Sequence, residues 1–235
     1  MNITFYQASE RGYADHGWLK TWHSFSFASY YDPKRMGFGM IRVLNDDTIA
    51  PSMGFGMHPH DNMEIISYAI KGRLKHVDSM GYETIINQGE VQHMSAGSGI
   101  MHSEFNASET EVAEFLQIWI IPELRNITPI YHQIQTKTLI QRDGLRLLAS
   151  PDGRDGSIII AQDVLLYEFY DSKTAKLSFL LKGKGRGVFI FVIEGTLEIG
   201  NQRVYKRDAI GIMDIESVDI NILSESRFLI FDTPK

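Results

Sequence analysis

Beyond Gly37, apolar residues alternate with polar ones or gather in short blocks, and few stretches repeat with a helical period. Alternation of period two puts every second side chain on one face of a strand. The blocks Met40–Leu44, Met63–Ile70, Leu74–Asp78, Glu83–Ile86, Val91–Met94 and Phe115–Ile121 each read as a strand. Asn45-Asp46-Asp47 closes the first block, Lys71-Gly72 joins the second and third as a hairpin, and Pro122 stops the last. A second set follows at Leu165–Tyr170, Lys176–Leu181, Gly187–Ile193, Thr196–Ile199, Ala209–Met213, Val218–Ile222 and Phe228–Phe231. Residues 1–35 are aromatic-rich and irregular, with a short strand at Phe25 and Phe27 and a turn at Asp32-Pro33. Many short strands at close spacing predict an all-β sandwich or barrel.

The middle of the chain is punctuated by Pro122, Pro129 and Pro151 and by the turn-rich loop Ser150–Ser157. The flanking halves carry a faint repeat. Ala69-Ile70-Lys71-Gly72-Arg73-Leu74-Lys75 matches Val192-Ile193-Glu194-Gly195-Thr196-Leu197-Glu198, and Gln88-Gly89-Glu90-Val91 parallels Arg207-Asp208-Ala209-Ile210. Two copies of one antiparallel β-barrel are therefore expected, over residues 1–135 and 136–235.

Charge and composition narrow the function. A net charge of −6 and a pI near 5.7, with no basic cluster, argue against direct nucleic-acid binding. The longest apolar runs, such as Val188–Ile193, are far shorter than a membrane helix requires, and the N-terminus lacks the pattern of a signal peptide. A soluble cytoplasmic protein is expected. There is no cysteine, so any metal must be held by nitrogen and oxygen. All eight histidines lie before residue 133, which confines imidazole chemistry to the first half.

Two short motifs stand out in that half. His58 and His60 are two apart, as are His102 and Glu104, so each pair shares a face if its segment is extended. Strands side by side in a barrel would gather three imidazoles and one carboxylate, a set that suits iron(II), manganese, nickel, cobalt or copper and leaves positions open. The competing reading is four ordinary polar residues in turns, though unpartnered burial of four such groups would be costly. Glu64 has the parity of His58 and His60, so it is a candidate ligand, a partner orienting an imidazole, or a carboxylate bonded elsewhere. His76 and His93 read as structural, and His16 and His23 as packing or pocket-rim residues. No Gly-x-Ser-x-Gly elbow is present, and Gly54, Gly56, Gly97 and Gly99 read as turn residues because no helix pattern follows. On the gapless repeat, His58 and His60 fall on Leu181 and Gly183.

The segments Gly54–Glu64 (Gly-x-x-x-His-Pro-His-x-x-x-Glu) and Gln92–Glu104 (ending Ala-Gly-Ser-Gly-Ile-Met-His-Ser-Glu) resemble the pirin branch of the cupin superfamily. Arg11-Gly12, Gly17-Trp18-Leu19, Phe25-Ser26-Phe27, His76–Gly81, Gln117–Ile120 and Ser150-Pro151-Asp152 extend the resemblance over nearly the whole chain. It implies a bicupin, two packed β-barrels with metal only in the first, 1–135, and a metal-free second, 136–235. It also implies the ligands His58, His60, His102 and Glu104. Other cupins use a carboxylate at the position of Glu64, and this chain has both. The bacterial relatives imply quercetin 2,3-dioxygenase activity, in which O2 opens the central ring of a flavonol and carbon monoxide leaves. Glu104, or Glu64 in second place, is then the base. The implied cofactor is one divalent transition metal, iron(II) first, with nickel, manganese, cobalt, copper and zinc as the others. The alternative is a metal-binding, redox-responsive regulator with a protein partner and no flavonol turnover. A third option is a metal-binding stress protein acting on another phenol. The expected state is a monomer.

Overall fold

The computed structural model describes residues 2–171 and 175–235, and those residues are almost entirely β. The first half holds β1 (Asn2–Tyr6), β2 (Gly12–Asp15), β3 (Leu19–His23), β4 (Ile41–Ile49), β5 (Gly54–His60) and β6 (Glu64–Lys71). It continues with β7 (Arg73–Asp78), β8 (Glu83–Asn87), β9 (Glu90–Ser95), β10 (Ile100–Asn106), β11 (Ala113–Ile120) and β12 (Ile130–Gln135). The second half holds β13 (Gln141–Arg142), β14 (Leu145–Ser150), β15 (Ile158–Ile159), β16 (Leu165–Asp171), β17 (Lys176–Leu180) and β18 (Arg186–Glu194). It ends with β19 (Thr196–Ile199), β20 (Gln202–Tyr205), β21 (Ala209–Met213), β22 (Ser217–Ile222) and β23 (Ser226–Pro234). No described helix is long and apolar enough to cross a membrane.

Each half pairs a large sheet with a small one. The first has β12-β9-β6-β11-β4-β3-β2 facing β5-β10-β7-β8. The second has β1-β21-β18-β23-β16-β14-β13 facing β17-β22-β19-β20, with β15 paired to β14. Strands β4 to β11 recur in the same order as β16 to β23, so the faint sequence repeat is a duplicated antiparallel double sheet: the protein is a bicupin. One strand crosses between the halves. β1 lies in the second half's large sheet, with Asn2 opposite Met213 and Tyr6 opposite Ala209.

Three sequence expectations change. Met63–Ile70 and Leu74–Asp78 do not form a hairpin: β6 pairs with β9 and β11, while β7 pairs with β8 and β10 in the other sheet. Lys71-Gly72 is the corner where the chain crosses between sheets. Gly72 has φ +75°, and a Cβ there would lie 2.8 Å from the Val112 carbonyl, so only glycine fits. Asn45-Asp46-Asp47 is no turn: it continues β4, buried throughout. Residues 1–35 are more regular than their composition suggests, with β1, β2 and β3 in sheets, whereas Phe27 forms only an isolated bridge with Tyr30.

Apolar packing is concentrated between the large sheets. Leu44, Ile66, Tyr68, Leu116, Ile118 and Ile120 of the first half pack with Leu148, Leu166, Phe189, Phe191, Leu229 and Phe231 of the second in one buried cluster. Phe189 is its hub, with ring centroids 5.4 Å from Tyr6, 5.5 Å from Phe25 and 5.4 Å from Phe38. Polar groups cross the same boundary. Tyr68 donates to Glu168, which also accepts from Arg227 at 3.0 Å. Phe189→Ala is expected to cost about 3–5 kcal/mol in urea denaturation. Because the core is shared, circular dichroism and tryptophan fluorescence should follow one coincident transition. All three tryptophans lie in the first half, so an unchanged fluorescence transition would contradict the shared core.

Candidate metal centre

β5 and β10 pair antiparallel with His102 opposite His58 and Ile100 opposite His60. The alternation that puts residues 58 and 60 on one face of β5 therefore faces them towards the imidazole of β10. Pro59 is tolerated between them because β5 is an edge strand. Ring centroids are 4.8 Å apart for His58 and His60, 4.4 Å for His58 and His102, and 4.9 Å for His60 and His102. One nitrogen from each ring lies within 4.8 Å of the others.

Electrostatics hold His60 and His102 in the neutral form. Burial and the neighbouring imidazoles push His102 down to about 2, and burial followed by His58 pushes His60 down to about 4. Neutral rings offer lone pairs, the form a metal binds. His58 Nδ1 donates to the Gly56 carbonyl at 2.7 Å, which fixes the tautomer with Nε2 free. His102 is 1% exposed, and neither of its ring nitrogens has a hydrogen-bond partner. A buried imidazole with no partner, beside two others, fits a metal ion.

Glu104 sits one step further in. A register shift between His102 and Glu104 places the latter opposite Phe55 on β5 and His76 on β7. It shares a cluster within 4.8 Å with His102 and His76, not with His58 and His60. Its carboxylate accepts from Ser67 Oγ at 2.9 Å and Gln117 Nε2 at 2.8 Å. Burial raises its affinity for a proton, against the pull of His76, Ser67, His58 and Gln117. His76, read from sequence as structural, thus belongs to the surroundings of the site. Its Nε2 lies 3.1 Å from Asp78.

The structure removes Glu64 from this group. Its carboxylate meets His93 Nε2 at 2.6 Å, Ser95 Oγ at 2.6 Å and the Ala161 amide at 3.3 Å. It shares the face of Ile66 and Tyr68 that packs on the second half. Parity failed because the chain crosses from the small sheet to the large one between β5 and β6, with Asn62 at φ +46° in the connection. Burial would raise this carboxyl, but its bonds and charge interaction with His93, then Ser95, hold it below the usual range.

A cavity of about 590 Å³ opens against the imidazoles. Trp18 and Phe55 form one aromatic pair on it, with centroids 5.1 Å apart, and Phe27 and Trp119 another at 5.4 Å. His16 and His23 line it, as their rim reading expected. Across the inner face of the large sheet runs a polar row, His23 opposite Asn45, Asn45 opposite Gln117, and Gln117 opposite Ser67. Asp47 lies beside this row, and none of Asp47, Gln117 and Trp119 was singled out as a site residue from sequence. The signal available was the alternation Asn45, Asp47, Ile49 once β4 is known to continue.

Residues 5–120 match the Pirin family model, and residues 147–233 match that of the quercetinase C-terminal cupin domain. Over 228 residues the chain is 44% identical to the quercetin 2,3-dioxygenase of Escherichia coli K12, covering 97% of each. The chain belongs to the pirin family. A pirin-like protein of Caulobacter vibrioides is 37% identical over 221 residues, 94% of this chain and 95% of its own length. Among solved structures, the bacterial pirin YhhW of Escherichia coli in complex with nickel(II) matches with a TM-score of 0.94 at 43% identity, over 99% of both chains.

Asp47 gives this pirin a pH signature. Burial drives its carboxyl up to about 7, a hydrogen bond from Thr21 opposes that, and Asp46 and Glu104 add to the rise. An unfolded aspartate titrates near ~3.9, so between the two values the folded state holds the extra proton and stability falls as pH rises. Asp47→Asn should therefore melt above the wild type at pH 8, with the gap closing towards pH 4. Thermal melts of metal-free protein across that range check it; a constant gap would contradict the shift.

Proposed function

We propose that this pirin is a metal-dependent dioxygenase acting on flavonols, opening the central ring with O2 and releasing carbon monoxide. The observation that carries this reading is the convergence of three imidazoles beside an aromatic-walled cavity of about 590 Å³. His58, His60 and His102 would hold the ion, with Glu104 as the fourth ligand, and Ser67 and Gln117 fix that carboxylate. A bound divalent metal, iron(II) first and nickel, manganese, cobalt, copper or zinc otherwise, would supply Lewis-acid polarisation and a template for flavonol and O2. The relatives' names, a quercetin 2,3-dioxygenase and a nickel-bound pirin, support the same assignment.

The chain's own residues do the rest. Trp18, Phe55, Phe27 and Trp119 give a flat aromatic substrate apolar surfaces and displace water from the reacting ring. Glu104 lines the cavity and takes the proton of the enolic hydroxyl. General-base help of this kind contributes about 10²–10⁴-fold.

Metal-reconstituted protein is expected to bleach the long-wavelength absorbance of quercetin in air, consume O2 and release carbon monoxide, and to do none of these anaerobically. His102→Ala should lose the metal by elemental analysis. Glu104→Gln should lower kcat by about 10²-fold or more. Fully loaded protein that binds metal but never consumes O2 would overturn the reading and favour the non-catalytic regulatory role.

A further inference from the structure

Asp47 is a buried carboxyl that forms no ion pair with any described Lys or Arg. It is 4% exposed and lines the cavity. Thr21, opposite it on β3, bonds to it, but Oδ1 has no hydrogen-bond partner. Among the described residues, no Lys or Arg lines the cavity. Its neighbour Asp46 points the other way and pairs with Arg11 at 3.1 Å and Arg207 at 3.5 Å. Burying a carboxyl without such a partner is expensive. An acceptor left open on the wall of a cleft marks a place for a ligand.

Position gives the ligand's shape. The imidazoles sit on the small sheet and Asp47 on the large sheet that faces it, with the aromatic pairs also lining the cavity between. A flat molecule spanning this space meets the metal position with one oxygen and Asp47 with another. We propose that Asp47, backed by Thr21, is a second anchor for the substrate, taking a hydrogen bond from a phenolic hydroxyl other than the one presented to the metal. The site then selects polyhydroxylated planar aromatics over those with a single oxygenated end. This inference rests on the phenolic-substrate reading above.

The test uses metal-loaded wild type, Asp47→Ala, Asp47→Asn and Thr21→Val with a series of flavonols from which ring hydroxyls are removed one at a time. Binding is followed by quenching of tryptophan fluorescence, and turnover by O2 uptake. A hydrogen bond to a charged group corresponds to about 10–100-fold in affinity. Wild type should prefer one hydroxylated member over its deoxy analogue by about that factor. Asp47→Ala should erase the preference through KM or Kd without loss of metal. Thr21→Val should weaken the preference less, and Asp47→Asn, which keeps a hydrogen-bonding group, should retain part of it. A carboxyl kept for folding alone would instead show a lowered Tm in Asp47→Asn and equal losses for every flavonol, which would overturn the inference while flavonol turnover stood. Selective binding lost in Asp47→Ala without turnover by wild type would uphold the anchor and sink the dioxygenase reading. Wild type that binds no flavonol would sink both.

Discussion

The apolar seal between the two large sheets is what allows the first barrel to remain partly hollow. A small barrel ordinarily stabilises itself by filling its interior with side chains. Here the inner face of the first large sheet carries His23, Asn45, Asp47, Ser67 and Gln117, and its enclosed apolar clusters are small. The opposite face of the same strands carries Leu44, Ile66, Leu116 and Ile118, sunk into the cluster shared with the second half. A fully buried Leu, Ile or Phe contributes about 1.5–3 kcal/mol, so stabilisation has been moved to the outside of the barrel. The second barrel has no such vacancy: Val188, Ile190, Val192, Leu197, Val218 and Ile220 fill it.

The duplication shows the same scaffold put to two uses. Leu74 pairs with Asn106 in the first half, as Leu197 pairs with Ile222 in the second. Following that register and the pairing of β22 with β17, the positions of His58, His60, His102 and Glu104 are occupied by Phe179, Leu181, Val218 and Ile220. All four are buried in the second core. The gapless count along the sequence gave Leu181 and Gly183 for the two histidines of β5, two residues out, because the copies differ in length between strands. One half has a site where the other has a core, and each supports its partner through the shared face.

Period-two alternation was legible wherever one face of a strand is apolar, which located most strands and brought out both candidate pairs. It failed where the chain changes sheet. Lys71-Gly72 looks locally like a hairpin turn, because a charge and a glycine between strands carry no information on whether the strands pair or diverge. Close approach of Gly72 to the Val112 carbonyl, a contact distant in sequence, decides it. Asn45-Asp46-Asp47 failed for a related reason. Three polar residues in a row mimic a turn unless one knows that one side faces a cavity and the other, through Asp46, an arginine pair.

The two carboxylates make the same point at the level of chemistry. Glu64 and Glu104 are both nearly inaccessible, at 1% and 2% exposure, and both stand near imidazoles. Glu64 spends its oxygens on His93, Ser95 and the Ala161 amide, so it ties the first barrel to the second. Among the described residues, Glu104 accepts from Ser67 and Gln117, neutral donors on the cavity side, and keeps lone pairs in reach of the imidazole cluster. At Asn62, whose backbone is left-handed, the chain leaves β5 in the small sheet for β6 in the large one, where Glu64 shares the outward face of Ile66 and Tyr68. Asparagine tolerates that conformation better than most side chains. The change of sheet therefore assigns Glu64 to the seal, and the register shift on β10 leaves Glu104 beside the imidazoles.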